Sequence, residues 1–227
     1  MAGGKILSAN EGALLKDPTD YRSALGTLQY LTNTRPDISF AVNHLSQFLS
    51  KPTTEHWKGV KRIFRYLKGT SQFGLSITPS QLLNITAYAD ANWAACPDDR
   101  RSVSGYCTYL GGSLVSWCSK KQSVVSRSST ESEYRALSNI AAELACINAA
   151  ALVENPVYHA RTKHIEIDVH YVCDQVLAGK LKIKYVPSNE QNANFFTKPL
   201  YRAQFVYLRD KLKIQSLPSR LRGVLRI

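Results

Sequence analysis

Two acids stand where their surroundings could put them to chemical use. Asp90 closes the apolar run of ITAYADANWA, and Glu133 lies further on, in SSTESEYRAL. An acid at the end of an apolar strand is costly to bury unless it binds something; the plain alternative is a loop-start Asp that caps a turn. Glu131 and Glu133 compete as its partner. With Glu133 at zero on a helical wheel, Leu137, Ile140, Leu144 and Ile147 fall within about 40° of it, whereas Glu131 falls about 160° away. Glu133 therefore points along the seam that packs on a sheet. Glu131 fits a capping box with Ser128, and Thr130 offers Glu133 a weaker version of that role. A carboxylate on a sheet end facing one on a helix is the start of a magnesium site, since Mg²⁺ takes hard oxygen ligands. A two-metal phosphodiester site needs about three or four acids, so two fall short.

The other candidates read as ordinary. Glu143, Glu154, Asp168 and Asp174 suit the surface of helices, and none follows a strand. Asp98 and Asp99 sit in the polar turn CPDDRRSVSG, and no Tyr-x-Asp-Asp occurs, so the chain holds no reverse transcriptase active site. His159, His164 and His170 do not share a helix face. The 5 cysteines include no CxxC pair and read as free thiols packed as small hydrophobes. No nucleophile elbow accompanies any serine.

The elements that must position these acids follow from pattern. Residues 19–69 read as three helices, with Thr19 or Asp20 capping the first, Pro36 opening the second and Thr53 or Thr54 capping the third. Residues 71–84 are turn-rich and read as a linker. Strands follow at Ile85–Trp93, Val103–Leu110 and Ser113–Lys120, the last two joined by the hairpin signal Gly111–Gly112. Residues 122–128 suggest a short edge piece. A long helix starts near Ser128–Thr130 and runs to about Ala150, a second spans Thr162–Ala178, and a strand, Leu181–Val186, stops at Pro187. Residues 190–214 read as helical with a break at Pro199, and the basic tail 215–227 as disordered. The class is α/β, with one oddity: two helices follow one another where a strand is due.

Charge points to a partner. The net charge is +12, with a neutral centre at 81–150 between two basic flanks, and hydrophobic residues make up 44%, enough for a core. In the third helix Lys58, Lys61, Arg62, Arg65 and Lys68 fall on about one third of the circumference, opposite Val60, Ile63, Phe64 and Leu67. Such a stripe suits nucleic-acid phosphates; the bland alternative is a solvated face. No apolar run is long enough to span a membrane and no signal peptide stands out, so the expectation is a soluble intracellular protein, cytoplasmic or nuclear.

These strings carry a resemblance. YADANWA, DDRRSVSGYCTYLGGSLVSWCSKKQSVVSRSSTESEYRAL, ENPVYHARTKHIEIDVHYV and NANFFTKPLYRAQF resemble the RNase H region of the copia-type LTR retrotransposon Pol polyprotein. DPTDYRSALGTLQYLTNTRPDISFAVNHLSQFLSKPTTEHWKGVKRIFRYLKGT resembles the segment after that family's polymerase palm. The resemblance implies an RNase H-like mixed sheet with flanking helices over 85–214, a helical segment over 1–70, and Mg²⁺-dependent cleavage of RNA in RNA–DNA hybrids by four carboxylates. Asp90 matches the first and Glu133 the second. The third belongs to a Cys-Asp-Asn motif that is missing; Cys146-Ile147-Asn148 echoes it without the acid. Asn194 replaces the fourth, in Ala193-Asn194-Phe195-Phe196-Thr197-Lys198. The family has a longer stretch before NPVYHARTKH, so an internal deletion, or a skipped exon, removes the third acid and the fourth strand. The expected function is a catalytically impaired RNase H remnant that binds nucleic acid; the alternatives are an active hybrid endoribonuclease and a non-functional pseudogene product.

Overall fold

The computed structural model describes residues 6–82, 84–152 and 165–216, and at 148–152 and 165–168 the backbone alone. The chain divides into two compact units, one drawn from Met1–Ile85, Tyr109–Val115 and Pro199–Ile227, the other from Thr86–Thr108 and Ser116–Lys198.

The first unit is built on α1 (Thr19–Leu31), α2 (Ser39–Ser46), preceded by a 3₁₀ turn at Pro36–Ile38, and α3 (Thr54–Gly69). Their apolar faces meet in one cluster of Tyr21, Leu25, Leu28, Ile38, Val42, Leu45, Val60 and Ile63, each nearly or wholly buried. Burial of such a side chain is worth about 2 kcal/mol. Tyr21 keeps its hydroxyl satisfied by donating to the Leu45 carbonyl at 2.7 Å. Thr53 caps α3 through a capping box whose third residue is His56. At α1 the cap expected from Thr19 or Asp20 is absent: Pro18 takes the cap position and no side chain bonds there. Asp17 Oδ1 instead accepts the Thr19 N–H at 2.9 Å.

A buried ion pair ties these helices together. Arg35 donates to both Asp37 oxygens, at 2.9 and 2.7 Å, and its other nitrogen reaches the Thr70 carbonyl at 3.1 Å. Tyr66 donates to Asp37 at 2.6 Å. The stretch read as a linker also holds structure: β1 (Phe73–Leu75) pairs antiparallel with a strand at Ile214–Ser216, Leu75 opposite Ile214. That pairing takes in the start of the stretch read as a disordered tail; residues 217–227 lie outside the described residues.

The sheet runs β2 (Ile85–Asn92), β3 (Val103–Leu110) and β4 (Ser113–Lys121) in that order, antiparallel. Gly111 (φ 56°) and Gly112 (φ 85°) form the hairpin turn, a left-handed conformation that glycine adopts without strain. The long helix is α4 (Ser129–Leu152), and it packs along α5 (Ile165–Leu177). The start expected for α5, at Thr162, lies outside the described residues. The stretch read as helical over 190–214 with a break at Pro199 holds a 3₁₀ turn (Asn192–Phe196) and α6 (Arg202–Lys211) on either side of Pro199, and its end, Ile214, begins β5 (Ile214–Ser216).

Two strand expectations are corrected. Residues 122–128 form a loop. Leu181–Val186 joins neither sheet, and Tyr185 is 89% and Ile183 50% exposed. Its alternating pattern suits a strand, but a strand needs a ladder partner, and here water solvates the segment. The described sheet therefore stops at three strands, an α/β arrangement of RNase H-like class lacking its fourth strand.

Candidate active site

The site forms where β2 ends. Asp90 is 9% exposed, one residue from Ala91, also buried. Thr197 Oγ1 donates a short hydrogen bond to Asp90 Oδ2, and Lys198 Nζ lies 3.4 Å from the same oxygen. Glu133, in the first turns of α4, is the partner that the helix wheel selects. Burial, then the charge of Asp90, pushes its carboxyl up to about 7, against opposing pulls from the Ala91 N–H and Lys198.

Glu131 does what its side of the helix predicts. It accepts the Arg127 N–H at 2.8 Å and pairs with Arg135 at 3.0 Å, and its own N–H is capped by Ser128 at 3.0 Å. The polar residues under α4 fix where Glu133 falls. Buried Gln122 donates to Ser104 at 2.8 Å and to the Ser132 carbonyl at 3.0 Å, tying the start of α4 to β3.

The 3₁₀ turn supplies the other side. Gln191 caps it and donates to the Ala89 carbonyl of β2 at 3.0 Å. Phe196 and Thr197 press on β3 at Gly105, where an added Cβ would meet Phe196 Cβ at 2.6 Å and Thr197 Cγ2 at 2.8 Å. Only glycine allows this approach, and the approach brings Thr197 to Asp90. Asn194 is buried in the same turn. Its Nδ2 donates to the Ser188 carbonyl at 2.6 Å, and its Oδ1 is buried with no hydrogen-bond partner.

Other candidates fall elsewhere. Glu143, half-buried, accepts from Ser116 of β4 at 2.6 Å rather than standing free on the helix surface. Asp99 pairs with Lys121 at 2.7 Å; burial raises its carboxyl, but Lys121, Cys96 and the Arg101 N–H together hold it down at about 2. Asp174 and His170 are exposed on α5, while Glu154, His159, His164 and the side chain of Asp168 lie outside the described residues. Among the described residues no three His, Cys, Asp or Glu side chains group as metal ligands. Cys96 and Cys107 are buried thiols, but Cys146 and Cys173 are exposed, against the reading of all five as packed. Lys58, Lys61, Arg62, Arg65 and Lys68 are all exposed on α3. Phe64, assigned to the opposite face, is 40% exposed, since it lies on the border of the two faces. Thr197 and Lys198 are the site residues that pattern reading missed, although both stand in the string that singled out Asn194.

Helices around a three-stranded antiparallel sheet give a mixed α/β arrangement of the RNase H-like class. Among known proteins, the chain is 42% identical to the Retrovirus-related Pol polyprotein from transposon RE2 of Arabidopsis thaliana, over 100% of its own length and 17% of that protein's. It is 43% identical to that from transposon RE1 of the same plant, over 96% of this chain and 16% of the relative. The Pol polyprotein from transposon TNT 1-94 of Nicotiana tabacum is 35% identical over 91% of this chain and 17% of the relative. The chain belongs to the copia-type LTR retrotransposon Pol family. It spans about a sixth of the length of these relatives. The RE2 match runs over 249 positions against 227 residues here, so at least 22 of them (249 less 227) have no counterpart in this chain. No family model and no solved structure matches it. Among the described residues no helix is long and apolar enough to cross a membrane.

Proposed function

We propose that this chain is a transposon-derived RNase H remnant that no longer cleaves and that holds nucleic acid through α3. The observation that carries the first half is Asn194. It offers a neutral amide where the family places its fourth acid, and its Nδ2 is already committed to Ser188. Asp90 meanwhile has a cation of its own in Lys198. Two magnesium ions bring four positive charges, and two carboxylates with one amide oxygen do not balance them. The donor set does not fit the metal pair that hybrid cleavage needs.

The second half rests on five exposed cations along one face of α3, whose nearby acid, Glu55, is taken by Lys58 at 2.6 Å. With Lys58 held by Glu55, the other four cations neutralise about four phosphates, which gives a log–log salt slope of about −4, without sequence preference. The alternative of an active RNA–DNA hybrid endoribonuclease is an outcome of the same test. Hybrid is incubated with the chain and its Asp90→Asn variant in Mg²⁺, and its binding is followed by anisotropy at two salt concentrations. The expected result is no cleavage above the variant, with binding that weakens steeply in salt. Cleavage abolished by Asp90→Asn sinks the first half. Binding unchanged by Lys61→Ala with Arg65→Ala sinks the second and leaves a product without function.

A further inference from the structure

A second group of reactive side chains lies in the loop after β2, outside the Asp90 site. Lys121, the last residue of β4, donates to Cys96 Sγ at 3.1 Å and to Asp99 Oδ2 at 2.7 Å. The Cys96 thiol also hydrogen-bonds Asp99. Backbone bonds hold all three in place. Cys96 N–H donates to the Arg101 carbonyl at 3.0 Å, and Arg100 N–H returns to the Cys96 carbonyl at 2.9 Å. Gln122 N–H, next to Lys121, donates to the Ser102 carbonyl at 2.8 Å. The loop turns through left-handed residues at Ala94 (φ 49°) and Arg100 (φ 58°). The sulfur–nitrogen distance is therefore set by the fold on both sides.

We propose that Cys96 and Lys121 are a site of oxidative cross-linking, in which a single oxygen atom joins Sγ to Nζ. Sulfur is the atom that oxidants attack first, and the Lys121 nitrogen stands within 3.1 Å of it, in reach of a one-atom bridge. The thiol proton passes to water. Dioxygen is the oxidant. One of its atoms becomes the bridge, and the other leaves as water carrying two ammonium protons. Sulfur and nitrogen each give up two electrons, which accounts for the four that dioxygen takes. The near-contact distance suits an inserted oxygen better than a direct sulfur–nitrogen bond, which would have to draw the two atoms much closer. The buried thiol is shielded, while the Lys121 side chain is 20% exposed and opens the approach. The product staples the loop after β2 to the end of β4.

Peptide mapping by mass spectrometry of air-exposed and anaerobic protein tests this. The expected product joins the Cys96 and Lys121 peptides with the added mass of one oxygen less two hydrogens. It is absent from anaerobic protein and reverts under a thiol reductant. Cys96→Ser and Lys121→Arg both abolish it; the arginine keeps the charge and the contact to Asp99, so its loss reads the amine itself. Closing the loop raises the Tm by on the order of 5 °C in the oxidised form. Exposed Cys146 and Cys173 report that the oxidant has acted. If they oxidise while Cys96 stays a thiol, or Cys96 goes to sulfinic acid unlinked, the proposal is overturned.

Discussion

In the helical unit α1, α2 and α3 make their backbone hydrogen bonds within themselves and bury one shared apolar cluster. In the sheet unit three strands pair, but Leu181–Val186, patterned as a strand, stays outside both sheets. A helix carries its own partners along its length, so it survives changes elsewhere in the chain. A strand depends on residues far away in sequence, and when these are absent its pattern counts for nothing. The contrast teaches where the chain is vulnerable: α4 and α5 pack on each other, whereas the strand pattern that follows them finds no ladder among the described residues.

The largest expected effect lies in the helical unit. Asp37→Ala leaves Arg35 buried without its carboxylate, and Tyr66 loses its acceptor. Removing one partner of such a pair costs about 3–5 kcal/mol. Urea unfolding read through tryptophan fluorescence measures it. A loss below about 1 kcal/mol would mean that the pair is solvated, and the helical unit would lose its claim to be the better satisfied region.

A smaller effect belongs to the sheet unit and depends on pH. Glu133 has its carboxyl raised to about 7 by burial and by Asp90, from an ordinary 4.5. Between those values the folded chain keeps a proton that the unfolded chain has released, so stability falls as pH rises through that window and stays lower above it. Glu133→Gln removes the loss. We expect the variant to exceed the wild type at pH 8 by about 2 kcal/mol, discounted for solvent screening, and to match it near pH 4. Urea midpoints across that range decide. An unchanged midpoint difference at all pH values would separate Glu133 from Asp90 and dissolve the paired-acid site.

Much of the site could be read before the fold was known, for identifiable reasons. Asp90 showed itself by ending an apolar strand, and Glu133 by sharing a helix face with Leu137 and Ile140, both of which are local geometry. Thr197 could have been found too: a 3₁₀ turn places residues three apart on one side, so Thr197 follows Asn194 onto the same face. Lys198 required the turn's position against β2, which depends on Gly105 and is invisible to spacing. β1 and β5 are three residues each, too short for any periodicity to register. Leu181–Val186 was misread for the opposite reason: its pattern is clear, and what it lacks lies elsewhere in the chain.

The smallest effect tests that last point. Tyr185→Lys and Ile183→Lys place charges on side chains that are 89% and 50% exposed in a segment without a ladder. Each should change the unfolding free energy by less than about 0.5 kcal/mol, as exposed positions do. The same change at Val103, 5% exposed in β3, buries a charge and should prevent folding of the sheet unit. The three variants together measure whether a strand pattern or a strand partner confers stability. Should Tyr185→Lys cost more than about 1 kcal/mol, the segment is docked in solution after all, and its strand pattern has found a partner.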